Sequence, residues 1–464
     1  MTAPSIEINS ERSRIRAALV NSGRYTFAEA EEVLAASRLR VVLGEDVAST
    51  PAGQAAFLTA VVTGIRSFGR VTVGGALDQA PILPLPTPAQ SMGDAVAFIG
   101  ADTDADDSCP AIWIGNSPGL SNLWGVQAFW DGWIAGTSPI ADPITIGRSD
   151  CALAGVAAGA LAVGQAFMAE QGEARAGRMA QRLNLWQPEM SGDGALVSGP
   201  LVHEIYLPLQ LWLIGLGNLG QSYIWSLSLL PYTQPEKVLL FLQDDQEIGK
   251  ENWGTSVLVQ RGRYGILKTW IAEEWATTRG FKVRRVDRRV DEHLFRSDME
   301  PGIALAGLDG MTARRLLGGC GFDYIIDAGL GSSVSEYRKF RINVFDRTID
   351  PAAHFDGVED QTQTIAEGLM RLPSYQEVSR TRDDGGCGAA MLAEISVAVP
   401  FVSSVIGALA LTQAIRIASH EPPHLALVGD VGDSNTVRGR LGSLSKRMSV
   451  PNIFVGCCEP NARR

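Results

Sequence analysis

The stretch Leu209-Gln210-Leu211-Trp212-Leu213-Ile214-Gly215-Leu216-Gly217-Asn218-Leu219-Gly220 decides how this chain is read. Its apolar run predicts a buried strand, and its three glycines predict a tight turn that opens a helix. A second apolar run, residues 238–242, ends at Gln243-Asp244-Asp245. Strand, glycine turn, helix, and strand closing on a carboxylate is the order of a nucleotide-binding βαβ unit. The glycines let backbone N–H groups approach a phosphate, and the helix N-terminus adds positive potential there. Asp244 stands where an acid can bind ribose hydroxyls. Alone, this stretch specifies a nucleotide without separating NAD from ATP.

Outward from it, bulk properties narrow the class. The chain has 464 residues, 45% hydrophobic and 20% charged, enough for two or three domains of roughly 100–200 residues each. A sizeable core is therefore expected. The net charge of −11 argues against nonspecific nucleic-acid binding, which needs a basic footprint. The late cations Arg438, Arg440, Lys446, Arg447, Arg463 and Arg464 read as a solvated tail. Cys109, Cys151, Cys320, Cys387, Cys457 and Cys458 form no CxxC pair, so the spacing offers neither a zinc site nor a thioredoxin-like motif. The first residues lack a signal-peptide pattern. Residues 151–168 are apolar but rich in Ala and Gly, and read as a buried helix rather than a membrane span. A cytoplasmic location with free thiols and no membrane or nucleic-acid partner is expected.

The N-terminal half repeats the alternation. Thr26-Phe27-Ala28-Glu29 predicts a capping box opening a helix to about Ser37. Residues 39–43 read as a strand, Pro51 opens another helix, and residues 71–73 form the next strand. Residues 96–100 and 111–115 are further apolar runs ending at glycine, read as strands. Strands alternating with helices predict a parallel α/β sheet. Val73 leads into Gly74-Gly75 without GxGxxG and without an acid, so this half is expected to have dropped the glycines and lost the nucleotide chemistry. Residues 170–200 read as a helix tail and linker. The pattern GALAxxQA recurs at residues 159–166 and 407–414, which predicts a duplication. The expected organisation is an inactive domain at 1–195, an active ATP-binding domain at 196–430 and a tail at 431–464.

Downstream of Asp244 come Asn252, Gly265-Ile266-Leu267-Lys268, Asp309-Gly310, Arg314, and a strand ending in Asp327-Ala328-Gly329-Leu330-Gly331. Cys387 then precedes Val399-Pro400-Phe401-Val402. With the glycine loop, this ordered set resembles the ThiF/MoeB superfamily, which includes the ubiquitin-activating enzymes, over residues 209–419. The resemblance implies two Rossmann-like ThiF-type domains with mostly parallel sheets, pseudo-dimeric within one chain. It implies ATP at Gly215, Gly217, Asn218, Gly220, Asp244, Lys268 and Asp309, with Mg²⁺ near Asp309. It also implies that a carboxylate attacks the ATP α-phosphate, with Asn252 positioning the triphosphate and Lys268 on the phosphates. Cys387 would accept the acyl group as a thioester. The implied partners are a ubiquitin-like protein and a conjugating-enzyme-like protein, in operons that resemble antiphage defence systems.

Plainer readings exist for each residue. Asp244 can be a solvated strand end, Lys268 a surface lysine, Asp309 a helix cap and Cys387 a packed thiol. A cysteine opening a helix has a depressed pKa, which favours the nucleophile. Cys320 reads as packing. Two departures from the family pattern stand out. Thr255 occupies the place of the usual arginine, so Arg261, Arg263 or an arginine from the first half is the expected replacement. The paired CxxC motifs of bacterial sulfur-carrier members are missing. Three rivals remain: a ThiF-like enzyme adenylating a peptide or sulfur carrier without a thioester, an NAD(P)-dependent Rossmann oxidoreductase, and a scaffold that binds ATP without using it. Lys268 and Asp309 stand against the oxidoreductase.

Overall fold

The computed structural model describes residues 10–83, 85–86, 89–103, 109–117, 124–147, 151–192, 199–331, 336–358, 362–381, 398–443 and 454–456. The N-terminal half runs α1 (Ser13–Asn21), α2 (Phe27–Ala36), β1 (Arg38–Leu43), α3 (Pro51–Ser67), β2 (Arg70–Gly75), α4 (Met92–Ile99), β3 (Ala111–Ile114), β4 (Gly125–Asp131), β5 (Ile134–Pro139), α5 (Ala152–Glu170) and β6 (Gln181–Asn184). The second half runs β7 (Tyr206–Pro208), β8 (Gln210–Ile214), α6 (Asn218–Ser228), β9 (Leu239–Gln243), α7 (Lys268–Thr278), β10 (Lys282–Val286), β11 (Ile303–Ala306), α8 (Met311–Leu316), β12 (Tyr324–Leu330) and β13 (Lys339–Asp346). After β13 come three helices between Pro351 and Thr381, a long Pro400–Ala418 helix, β14 (His424–Asp430), β15 (Asp433–Leu441) and β16 (Phe454–Gly456).

Both halves use one strand plan. The first sheet is ordered β2-β1-β3-β4-β5-β6. The second is β10-β9-β8-β11-β12-β13-β14-β15, so its central run β9-β8-β11-β12-β13-β14 repeats the first. In each, the first four strands of that run are parallel and the last two antiparallel. The mixed α/β fold with two mostly parallel sheets is the expected one. The GALAxxQA helices occupy matching places. A Cβ on Gly159 of α5 would lie 2.1 Å from Ala56 O of α3, and one on Gly407 would lie 3.1 Å from Ser222 of α6. The small residues therefore let paired helices approach closely. The shared glutamine also recurs in role. Gln165 Oε1 accepts from Gly177 N ahead of β6, and Gln413 Oε1 accepts from His424 N at the start of β14, both at 2.8 Å.

Four sequence readings are corrected. Residues 96–100 are not a strand: they end α4, whose Ser91–Asp94 capping box starts it and whose left-handed Gly100 stops it. Residues 170–200 are not only a linker, because β6 pairs with β5 inside the first sheet. Residues 431–464 are not all tail, since β15 pairs with β14 and β16 with β7. The first half also keeps two of its glycines. Gly44 follows β1, and a Cβ on Gly53 in α3 would lie 2.1 Å from Val47 O, just as one on Gly220 would lie 2.1 Å from Gly215 O. A longer loop between Gly44 and Gly53 hides the correspondence in the sequence.

One apolar core runs through both halves. Phe167 of α5 packs on Phe401 with ring centroids 5.7 Å apart, and Trp225 Nε1 of α6 donates to Thr59 Oγ1 of α3 at 2.9 Å. The α5 and Pro400–Ala418 helices are long and apolar enough to cross a bilayer, yet both are buried inside this core. A smaller core around Trp212, Phe241 and Phe322 covers the other face of the second sheet.

Candidate functional site

The C-terminal ends of β8, β9 and β11 converge where an open α/β sheet offers a ligand crevice. Gly215 adopts φ +82°, and a Cβ there would lie 2.6 Å from Gly307 O. The turn must therefore be glycine to nest against the loop after β11. Gly220 lets α6 start directly beneath Gly215. Gly217 differs: a Cβ there would meet nothing within 4 Å, so it faces open space. It is the N-cap of α6, and no side chain caps that helix. The Asn218 side-chain amide is buried, yet neither its oxygen nor its nitrogen has a partner. An uncapped helix N-terminus, an orphan amide and a bare glycine face fit an anion such as a phosphate.

Asp244 ends the strand as expected and is tied into the loop. Its Oδ2 accepts from Leu216 N at 2.7 Å and its Oδ1 from Gln246 N at 2.8 Å. Gln246 passes the connection on, since Lys268 Nζ donates to Gln246 Oε1 at 2.6 Å. Lys268 is the first residue of α7 and is buried, so it is not a surface lysine. Asn252 closes a short turn by accepting from Gly249 N at 2.8 Å. Asp309 is exposed on the loop after β11, and Gly310 rather than Asp309 caps α8. Arg314 fixes that loop. Its Nε and Nη2 donate to Leu308 O at 3.0 and 2.7 Å, and its Nη1 to the fully buried Asp327 at 3.0 Å. Burial pushes the Asp327 carboxyl up, against the pull of Arg314. Among the described residues, no group of three or more His, Cys, Asp or Glu gathers as a metal cage. A single carboxylate beside phosphates is enough for Mg²⁺, which keeps most of its waters, and Asp309 fits that need.

At the place of the missing arginine, Thr255 is buried and its hydroxyl donates to Asn252 O at 3.4 Å. Arg261 pairs with Glu11 at 2.9 Å and Arg263 with Glu274 at 2.5 Å. A further cation close to this loop comes from the first half. Burial lowers the pKa of Arg14 in α1, and the charges of Glu251 and Asp309 oppose that shift. The sequence left an arginine from the first half open as the replacement, and Arg14 is the candidate that the fold brings nearest to Asp309 by its charge. No motif surrounds Arg14, and only the folded chain brings α1 to this loop. Cys387, with Cys457 and Cys458, lies outside the described residues. Cys320 is buried in the smaller core with its thiol pushed up to about 11, which suits packing.

The family model described as the BilD N-terminal domain matches residues 38–185, and the one described as the BilD C-terminal domain matches residues 207–421. The bacterial E1-like protein BilD of Collimonas sp. (strain OK412) is 34% identical over 387 residues, covering 82% of this chain and 82% of that protein. The chain belongs to the BilD family of bacterial E1-like proteins. Solved structures similar to this BilD-family chain include E. coli MccB with ATP, with a TM-score of 0.35 and 13% identity over 54% of this chain and 68% of that one. MccB with AMPCPP and the selenomethionine form of MccA gives the same score and identity, over 54% and 67%. The C-terminal BilD match contains the glycine loop, Asp244, Asn252, Lys268, Asp309 and Cys387. The N-terminal BilD match begins after Arg14.

Proposed function

We propose that the chain uses ATP to adenylate the C-terminal carboxylate of a ubiquitin-like protein, then holds the acyl group on Cys387 for transfer to a conjugating-enzyme-like partner. The observation that carries this reading is the open, uncapped N-terminus of α6 with its orphan Asn218 amide, with Lys268 and Asp309 on the adjoining loops and Arg14 within electrostatic reach of Asp309. Such a surface suits a polyphosphate more than a dinucleotide alone, because it combines backbone donors with two cations and a metal-competent acid.

In the proposed first step, a carboxylate oxygen forms a bond to the α-phosphorus and the bond to the bridging oxygen of pyrophosphate breaks. Two anions meet in that step. Lys268 and Arg14 reduce the repulsion, and the amides at the start of α6 accept the charge that builds on the phosphate oxygens. Asp244 is the ribose acceptor, since each of its oxygens keeps a lone pair beyond its backbone bond. Mg²⁺ held at Asp309 would shield the phosphate charge. In the second step, the Cys387 thiolate attacks the acyl carbon and AMP leaves.

The first half would be a partner domain rather than a second active site. Its α3 begins at Pro51, which has no N–H to offer, and Thr50 Oγ1 already caps Gly53 N at 3.0 Å. Asp46 accepts from Asn116 N and Nδ2 at 2.9 and 2.8 Å in its glycine turn. Gln54 ties Ala80 and Ile82 across that mouth. A carboxylate and the chain itself occupy what would be the anion site. This half would act by supplying Arg14. A role in antiphage defence is the setting we propose, to be tested by phage plating with the wild type and Cys387→Ala.

The direct test is ATP–pyrophosphate exchange with a candidate ubiquitin-like protein. Exchange that depends on its free C-terminus is the expected result. No exchange with any carboxyl-terminal substrate refutes adenylation, and a product without a thioester selects the peptide-modifying alternative.

A further inference from the structure

The loop that carries Asn252 and Thr255 is seated on the first half by a cluster of arginines around Trp253. Trp253 is almost fully buried, and three guanidinium groups approach its ring: Arg261 at 4.1 Å, Arg66 at 5.5 Å and Arg12 at 5.9 Å. Arg66 sits in α3 of the first half and is buried. Its Nε donates to Ser256 O at 3.2 Å, its Nη2 to Val257 O at 3.2 Å and Val259 O at 2.8 Å, and its Nη1 to Val62 O at 2.6 Å. Three carbonyls within four residues of the second-half loop thus accept from one first-half side chain. Arg12 is itself held by donating to Phe68 O at the end of α3 at 2.8 Å. A Cβ on Gly254 would lie 2.1 Å from Glu11 O, so the start of α1 lies directly on this loop. Glu11 holds Arg261 and accepts from the Tyr264 hydroxyl.

This arrangement is costly as pure scaffolding. Burial pushes the Arg66 guanidinium down to about 9, with Arg261 adding to the effect. A buried cation is stabilised by dipoles and rings when no carboxylate faces it. Here the fork is matched to three carbonyls that no lysine could reach together.

We infer that Arg66 is a positioning residue for nucleotide binding: through the carbonyls of residues 256–259 and the ring of Trp253, it sets the loop bearing Asn252 and Thr255 against the phosphates. This rests on the ATP reading above. It makes the first half necessary at two points, Arg14 by direct charge and Arg66 through the loop.

The test compares the full-length wild type with Arg66→Lys and Trp253→Leu. Binding of a non-hydrolysable ATP analogue is measured by calorimetry, and amide hydrogen exchange is followed by mass spectrometry. Arg66→Lys keeps a charge but loses the fork, so its analogue affinity is expected to fall roughly tenfold or more. Exchange should quicken in residues 249–261 while α6 stays protected. The Michaelis constant for the acyl substrate should be unchanged. Trp253→Leu should give the same pattern in milder form, which keeps the test valid if Arg66→Lys fails to fold. Wild-type affinity with unchanged exchange in either folded variant overturns the inference, as does loss of protection spread evenly over the core. A wild-type protein that binds no ATP analogue would instead defeat the functional reading itself.

Discussion

The two glycines Gly217 and Gly220 share one motif, and the structure assigns them opposite consequences. In Gly217→Ala, the new methyl meets nothing within 4 Å. Losing glycine at a helix cap costs a few tenths to about 1 kcal/mol, and stiffening the unfolded chain returns about 0.4–1 kcal/mol. The net change in stability should be close to zero. Nucleotide affinity should suffer, because the methyl fills the space over the α6 amides. Loss of one charge-assisted contact of about 1.5–3 kcal/mol corresponds to a roughly 10- to 100-fold weaker Kd. In Gly220→Ala, the methyl would lie 2.1 Å from Gly215 O, a backbone atom that cannot swing aside. Overpacking of this kind costs about 1–3 kcal/mol, or roughly 2–10 °C in Tm for a domain of this size. Scanning calorimetry and titration with an ATP analogue measure both quantities. A Gly217→Ala protein that melts as early as Gly220→Ala, or that binds the analogue like wild type, refutes the assignment of Gly217 to the ligand space.

Other outcomes follow from the same geometry. Arg14→Gln should lower pyrophosphate exchange by about 10²-fold with little change in Tm; near-normal exchange would return the missing-arginine role to another residue. Cys387→Ala should keep exchange and lose a reducible acyl–protein species on gels, and a persisting thioester would point to Cys457 or Cys458. His424 is buried against Glu189 at 2.8 Å, and burial holds its pKa below the ordinary 6.5. The unfolded chain therefore takes up this proton first, so stability should fall as pH drops through 6.5 and level off below the folded-state value. Tm measured against pH should show that slope. His424→Asn should flatten it, and Glu189→Gln, which removes a charge that raises the pKa, should deepen it.

Legibility of the sequence tracked how local the determining physics was. The β8–α6–β9 unit was readable because apolar runs and glycines fix strand and turn within a few residues of each other. Asp244 and Lys268 stand out by their order along the chain, and Gln246 links them in the structure. Residues 96–100 were misread because a short apolar run fits helix and strand alike; the deciding signal was the capping box at Ser91–Asp94, outside the run. The strand β6, Gln181-Arg182-Leu183-Asn184, has a polar edge composition that resembles a linker and owes its state to pairing with β5. Gly44 and Gly53 went unnoticed because a longer loop broke the spacing while the close contact they permit survived. Arg14 and Arg66 were beyond local reading altogether, since their meaning arises only when α1 and α3 meet a loop from the other half.

The shared core has a consequence for how this protein can be made. The α5 helix is synthesised long before the Pro400–Ala418 helix that covers it, and each is apolar enough to pass for a membrane segment. A ribosome releasing the first half alone would expose a surface attractive to chaperones and to insertion machinery. Joining both halves in one polypeptide guarantees that the covering helix arrives in equal number and at high effective concentration. A version split between the halves should therefore depend on co-expression to accumulate.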